Sequence, residues 1–561
     1  MAPGHLRDPM DRIGIRDRNQ RNPAQDRQNA NPGSKRNAIA ITRTFVMKRF
    51  LIAGALAFPA LLWMGSIGAT DPPPQPGNPV AWVWSGAITP HSAVVKAKTG
   101  RGASKVRLLI STDPRFSTFR PIPGDGFADP DADGVVAFEL RDLKPDTPYF
   151  YCVEVKGKKE LTGNFRTFSD GPMSFKVAFA SCATTGSNHR IFSRIRQLQP
   201  NFFLHMGDFH YEDIHVNDPE LFRRTYDLVL ASDRQSDLYR HVPIAYVWDD
   251  HDFGPNDCDR TAPGRPAAWK TYRQCVPHYP LVGDKGATGA IHQAFTVGRV
   301  RFLMTDVRSE RSPASDPDGP NKTMLGDQQL LWLEAELSLS RDRYPLIVWV
   351  NTVPWITASA PGSIHGWEPY SRERARIADR IKALGLVNRL VMLSGDAHMV
   401  AIDDGTNSNY ASSRKPGEHA FPVVQAAPLD RYPRVKGGPY SHGVHAKSML
   451  FGLLKIQQFG LMQVRDDGKA LEVELTGHDA EGRLLDGMLL KLRCDGTGCR
   501  ILPENRELPT LPTNNKTGIS FRRAQGAIDH VSAGFSPRAL DRIIIRAALP
   551  RSCGVEKDKE S

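Results

Sequence analysis

The chain has 561 residues and 62.2 kDa, with 40% hydrophobic and 24% charged residues. That is length for two to four domains at about 100 to 200 residues each, and enough apolar material to exclude a short peptide factor and wholesale disorder. The net charge of +12 sits at the ends: residues 1–49 carry eleven Lys/Arg against four Asp/Glu, residues 511–561 carry nine against five, and the body between is nearly neutral. No Lys/Arg stripe of the kind that phosphate-backbone binding needs crosses that body, so no physiological nucleic-acid partner is expected.

Residues 1–46 are polar, Arg-rich and aperiodic, and read as a disordered extension that translation from Met47 would omit. Met47-Lys48-Arg49, an apolar run from Phe50 to Ile67, and the small residues Gly68 and Ala69 follow the n-region, h-region and cleavage-site order of a secretory signal. The run also approaches the roughly 20 residues that span a bilayer. Residues 47–69 are therefore a signal peptide or an anchor, and a secreted or periplasmic product is expected, tethered to the membrane if the segment stays uncleaved. Residues 70–79 form a Pro-rich linker. The far end, 511–561, lacks a sustained apolar face and reads as a disordered tail.

The seven cysteines stand at 152, 182, 258, 275, 494, 499 and 553. In an exported protein Cys258 with Cys275, and Cys494 with Cys499, are short-loop disulfide candidates, with Cys182 the spare thiol.

From residue 80 to 170 the chain offers short β-rich runs separated by turn residues: Val80 to Trp84, Ala93 to Lys98, Lys105 to Ser111, Val135 to Leu140 and Tyr149 to Val155. This spacing predicts a small β-sandwich. Leu143-Lys144-Pro145-Asp146-Thr147-Pro148-Tyr149 resembles the tyrosine-corner region of fibronectin type III domains. Asp129, Asp131, Asp133 and Gly134 imitate the opening of a calcium loop, but Leu140 stands where the bidentate carboxylate belongs, and an acidic surface turn is expected instead.

From Phe175 onward apolar strands alternate with polar turns and helical stretches, as in a layered α/β protein. The predicted strands are Phe175 to Ala180, Phe202 to Met206, Ile244 to Trp248, Phe302 to Thr305, Leu346 to Asn351 and Leu390 to Ser394. Five of the six end against Cys, Asp, His or Asn, and ligands gather at the carboxyl ends of such strands. Four turns carry the chemistry: Ala180-Ser181-Cys182, Gly207-Asp208 with Tyr211, Trp248-Asp249-Asp250-His251, and Gly395-Asp396-Ala397-His398. Adjacent carboxylates repel unless a cation holds them, and the pooled O, N and S donors suit two metals.

With Asp306-Val307-Arg308-Ser309 and the run Gly326 to Leu333, these turns form an ordered set, and over residues 80–505 the chain resembles the alkaline phosphatase D (PhoD-like) family of metallophosphoesterases. The resemblance implies an α/β fold, a four-layer αββα core over 173–508 preceded by a fibronectin type III-like sandwich. It implies secreted, metal-dependent hydrolysis of phosphate mono- and diesters by a metal-bridging hydroxide. Asp208 would bridge the metals, Cys182, Tyr211 and His398 would hold Fe(3+), and Asp250 and Asp396 would hold Ca(2+), with Asn256 adding an oxygen. His251 would donate a proton or hydrogen bond to the leaving oxygen, and Arg308 or Arg311 would either clamp phosphate or stand as surface residues. His210, between the Asp and Tyr ligands, would face substrate or solvent. The substrate is a phosphate ester, carried by a small molecule, a phospholipid or a wall polymer. A lipid substrate would favour an exposed apolar rim around Ile356 to Trp367, where Trp355, Ile364 and Trp367 interleave with Gly and Pro, although such aromatics are more often core. A phospholipase D-like hydrolase and a catalytically inactive surface binding protein remain the alternatives. Lys48-Arg49 in place of a twin arginine leaves the export route open.

Overall fold

The computed structural model describes residues 79–503, apart from 101, 125, 283–288, 358–364 and 447–453. The N-terminal extension, the signal or anchor, nearly all of the linker, the tail, Ile364 and Cys553 lie outside the described residues.

Seven strands make the front sandwich. Val80–Gly86, Ala93–Thr99 and Val135–Leu140 form one antiparallel layer, and Arg120–Ile122, Val106–Ser111, Pro148–Val155 and Lys158–Arg166 form the other, in that spatial order. Alternation builds it: Ala93, Val95 and Ala97 point inward while Val94, Lys96 and Lys98 are half-buried. The Tyr149 hydroxyl accepts a 2.8 Å hydrogen bond from the Lys144 backbone N–H five residues upstream, which pins the corner. Arg120–Ile122 and Lys158–Arg166 escape the sequence reading because one is three residues long and the other is polar.

The sandwich is continuous with the body, because Val80–Gly86 runs parallel to Ile244–Val247 and so joins the larger sheet. The acidic turn is part of this junction. Asp131 Oδ1 caps its own turn by accepting from the Asp133 and Val135 amides, while Gln274 donates to both carboxylates and Arg223 pairs with Asp133.

In the body, Phe175–Ala180, Phe202–Met206 and Ile244–Val247 are parallel neighbours in one sheet; Val300–Met304, Leu346–Asn351, Leu390–Ser394 and Val423–Ala426 are parallel neighbours in a second. The sheets pack face to face through Phe175, Phe202, Phe295 and Phe302, whose ring centroids lie 4.9 to 6.3 Å apart. Residues of opposite parity in the second sheet, Leu303, Ile347, Trp349 and Met392, bury a separate core with Leu330, Leu333 and Leu337 of the helix Asp327–Ser340 and Ile377 and Ile381 of Ser371–Ala383. Helices Pro219–Leu230 and Asp233–His241 pack against Val80–Gly86 of the first sheet.

Two expectations fail here. Cys258 and Cys275 are both free and buried: Cys258 Sγ lies against the Asp250 carbonyl, while Cys275 ends the eleven-residue helix Arg265–Cys275, whose length of about 16 Å separates the two ends. Cys494–Cys499 does form, across the hairpin of Leu484–Asp495 and Gly498–Ile501. Trp355 and Trp367 are core and not rim: both are fully buried, donating from their indoles to the Ser408 carbonyl and to Asn351. Finally, Gln458–Asp466, Leu471–Asp479 and Leu484–Asp495 extend the first sheet antiparallel beyond Phe175–Ala180, where no strands were expected. Among the described residues no helix is long and apolar enough to cross a membrane.

Candidate metal centre

Each ligand-bearing turn leaves the carboxyl end of a buried parallel strand, and the turns from the two sheets are stitched together. The Cys182 amide donates to the Gly207 carbonyl, the Asp396 amide to Ser181 Oγ, and the Gly395 amide to the Thr352 carbonyl. Gly395 is required by this closeness, since a Cβ there would strike Ser181 and the Met206 carbonyl. Cys182, Asp208, Asp396 and His398 all adopt positive φ, between 52° and 64°. Left-handed backbone is unfavourable for side chains of this kind, so four such residues at one site hold stored strain that the surrounding sheets must sustain.

The side chains converge. Ligand atoms of Cys182, Asp208 and His398 lie within 4.8 Å of one another, as do those of Asp208, Asp250 and His251, and those of Asp249, Asp250 and Asp396. Tyr211 joins the first group, its hydroxyl donating to Asp208 Oδ2 at 2.7 Å and lying 3.1 Å from His398 Nε2. The Cys182 thiol points at the same oxygen, 3.3 Å away. Asp208 is therefore shared by both halves of the cluster. Its other oxygen, Oδ1, and Asp396 Oδ2 are buried without a hydrogen-bond partner, and so is Asp250 Oδ1, which has only Arg308 at 3.5 Å. Buried carboxylate oxygens are costly to leave unsatisfied, and three aimed into one cluster fit a bound cation.

The electrostatics agree. Burial, reinforced by Asp208 and Asp396, pushes the Cys182 thiol well up, and burial pushes the Asp208 carboxyl well up against the pull of His251. Burial would also raise Asp250, but Arg308, His251 and Lys436 pull it below the usual carboxylate range. A thiol, a phenol and a carboxyl all disfavouring ionisation in one place mark a site whose donors await positive charge. A second set of contacts aims the ligands: His398 Nδ1 sits 2.7 Å from the Tyr432 carbonyl, Asp250 Oδ2 accepts from the Asp257 amide at 2.6 Å, and Asp396 Oδ1 pairs with Lys436 at 2.6 Å.

All six ligand candidates, Cys182, Asp208, Tyr211, Asp250, Asp396 and His398, are brought together, with His251 beside them. Asn256 is not: it is exposed, and its amide donates to the neighbouring Asp257. The turn delivers a backbone N–H to Asp250 from the next residue instead. Arg308 is not a clamp either. It is fully buried beneath the ligands, its Nε on Asp249, one terminal nitrogen on the Cys258 carbonyl and the other facing Asp250. Arg311 is equally buried and donates to Tyr370. His210 meets neither substrate nor solvent, being enclosed with its ring edge-on to Tyr226. Asp249, Asp213 and Lys436 take part without having been singled out. Asp249 was visible as the neighbour of Asp250, whereas Asp213 and Lys436 arrive from irregular loops that carry no periodic signal.

A family model described as PhoD-like phosphatase matches residues 177–475, and that of its N-terminal domain matches residues 75–169. The chain belongs to the PhoD-like phosphatase family. This PhoD-like chain is 22% identical over 321 residues to alkaline phosphatase D of Bacillus subtilis (strain 168), a match covering 49% of the chain and 55% of that relative, so it spans about half the relative's length. A solved structure described as PhoD superimposes with a TM-score of 0.62 at 17% identity, covering 84% of this chain and 99% of that one, which shows the shared fold. A purple acid phosphatase from yellow lupin aligns at a TM-score of 0.49 and 13% identity over 73% of this chain and 74% of its own. The candidate metal centre lies within the residues that the PhoD-like family model matches.

Proposed function

We propose that this protein hydrolyses phosphate mono- and diesters outside the cytoplasm with a two-metal site. The observation that carries the reading is the shared Asp208, flanked by thiol, phenol and imidazole donors on one side and by carboxylates on the other. Cys182, Tyr211 and His398 would hold the softer, more Lewis-acidic ion, for which Fe(3+) is the assignment, and Asp250 and Asp396 a hard divalent ion, assigned as Ca(2+). When bound, the pair activates water as nucleophile and neutralises charge building on the phosphoryl oxygens.

The chain's own residues supply the rest. His251 is the general acid. Asp213 holds its Nδ1 at 2.6 Å, which leaves Nε2 to face the cluster. Burial opposes charge on the ring, but in the metal-free fold Asp208, Asp250 and Asp213 outweigh it and raise the imidazole to about 9; Asp213, outside the ligand set, would go on supporting the proton beside bound metals. His251→Gln is expected to slow alkyl phosphates by about 10²- to 10⁴-fold while sparing p-nitrophenyl esters, whose leaving group needs no proton. Comparing kcat across leaving groups checks this, and a uniform loss would remove His251 from the proton path.

Export is supported by the n-h-c order of residues 47–69 and by the Cys494–Cys499 disulfide, which suits an oxidising compartment. The front sandwich is read as fibronectin type III-like on its three-plus-four strand order and the Tyr149 corner. Substrate partners are small phosphate esters, phospholipid headgroups or wall polymers; nucleic acid is not among them, given the neutral body.

The test is hydrolysis of bis(p-nitrophenyl) phosphate at alkaline pH, before and after chelation, with calcium restored. Activity that is lost on chelation and regained with calcium is expected. Folded, iron- and calcium-loaded protein with no activity would turn the reading into that of a binding protein.

A further inference from the structure

Arg308 and Arg311 are both enclosed and engaged with the protein, so neither is placed to receive the non-bridging oxygens of a phosphate. We propose that Arg431 is that residue, a substrate-binding arginine at the edge of the metal centre; the proposal rests on the phosphoesterase reading above. The chain fixes its position firmly. The Leu429 amide donates to the Ser181 carbonyl at 2.9 Å and the Asp430 amide to the Cys182 carbonyl at 3.2 Å, so the segment is laced to the ligand turn itself, and the Arg431 carbonyl accepts from Ile456. From there the guanidinium lies 3.7 Å from the centre of the Tyr211 ring, whose hydroxyl is in the ligand cluster and whose ring also meets His251 at 4.0 Å.

Stacking occupies the flat face of a guanidinium and leaves its in-plane N–H donors free. Here they are free: Nε is buried without a partner, and among the described residues no carboxylate pairs with this arginine. The adjacent Asp430 does not serve, since its carboxylate accepts from Ser187 at 2.7 Å and faces Lys455 and Gln457. Nor can Lys436 substitute for it, being committed to Asp396. A half-buried guanidinium with unspent donors beside a phosphoryl-binding centre matches the fork geometry that takes two oxygens of one phosphate.

The experiment measures binding of inorganic phosphate to the metal-loaded full chain by calorimetry, with metal content and melting temperature determined on each sample. Arg431→Gln is expected to keep its metals and bind phosphate about 10- to 100-fold more weakly. Arg431→Lys, which retains the charge and loses the fork, should fall between the two. A metal-loaded Arg431→Gln with wild-type affinity overturns the proposal. If Arg431→Gln does not load metal, Arg431→Lys decides: weakened binding upholds the assignment, and unchanged affinity, or failure of both variants to load, makes Arg431 a structural prop. The two readings separate cleanly. Arg431-dependent phosphate binding without ester hydrolysis sinks the hydrolase reading alone, and ester hydrolysis with Arg431-independent binding sinks this one alone.

Discussion

Asp208→Asn is expected to abolish the proposed ester hydrolysis and to leave the fold standing. The carboxylate is the one donor common to both halves of the centre, so replacing it with an amide weakens both ion sites together. Metal stabilisation of the transition state amounts to several kcal/mol, and each 1.4 kcal/mol is a factor of ten, so turnover should fall by at least about 10³-fold. The fold survives because burial already holds the metal-free carboxyl protonated, and a neutral amide of the same shape can still accept from Tyr211 and Cys182. The same physics sets a pH dependence for chelated protein. In the metal-free fold Asp208 and His251 together hold a proton that the unfolded chain has lost, since burial raises the carboxyl and the neighbouring carboxylates raise the imidazole to about 9. Holding that proton costs the fold more as pH rises from about 7.5 to 9. Burial lowers the buried histidines His205 and His210 to about 3 and His398 to about 4; their opposing contribution is nearly complete by about pH 7.5, a pH unit above the ordinary histidine value. Chelated wild type should therefore melt at progressively lower temperature across that window, the loaded protein should not, and chelated Asp208→Asn should show a shallower fall. Full activity in Asp208→Asn, with metals retained, would remove Asp208 from the bridging position.

The ligands were legible because one rule places them all. A buried parallel strand is a short continuous apolar run, and a Cys, Asp or Gly-Asp directly after it must lie at the carboxyl edge where turns from neighbouring strands meet. Cys182, Asp208, Asp250 and Asp396 obey it, and Tyr211 and His398 follow within three residues. What sequence does not carry is which side chains are already spent. Arg308 stands in a conspicuous turn, yet nothing in Asp306-Val307-Arg308-Ser309 says that Asp249, 59 positions away, takes its Nε. Asn256 turns to the neighbouring Asp257, whose backbone N–H steadies Asp250, a contact that side-chain identity does not announce. Arg431 and Lys436 lie in an aperiodic stretch between Ala426 and Gln458, where position is set by lacing to Ser181, Cys182 and Asp396. The hairpins from Gln458 to Ile501 do carry period-two alternation, as in Leu471, Val473 and Leu475, but antiparallel strands end in ordinary turns and the strand-then-ligand rule passes over them.

Arg308→Met separates a supporting arginine from a substrate clamp by what it damages. Asp249 and Asp250 are adjacent, buried carboxylates at the end of Ile244–Val247, and one guanidinium holds the first directly and approaches the second at 3.5 Å. Removing one partner of a buried pair leaves the other charge uncompensated, which costs about 3 to 5 kcal/mol; here two acids are exposed to each other at once. A clamp would instead leave stability untouched and raise KM. Denaturant unfolding of chelated protein is expected to show the full loss, and the fraction that folds with metal should keep a KM close to wild type. Arg308→Lys does not rescue, because a point charge cannot reach Asp249, the Cys258 carbonyl and Asp250 from one place. Adding Asp249→Asn to Arg308→Met should recover part of the stability, since it removes one of the two orphaned charges. That recovery is what a double-mutant cycle reads, and its absence would mean that Arg308 stabilises the site by packing alone.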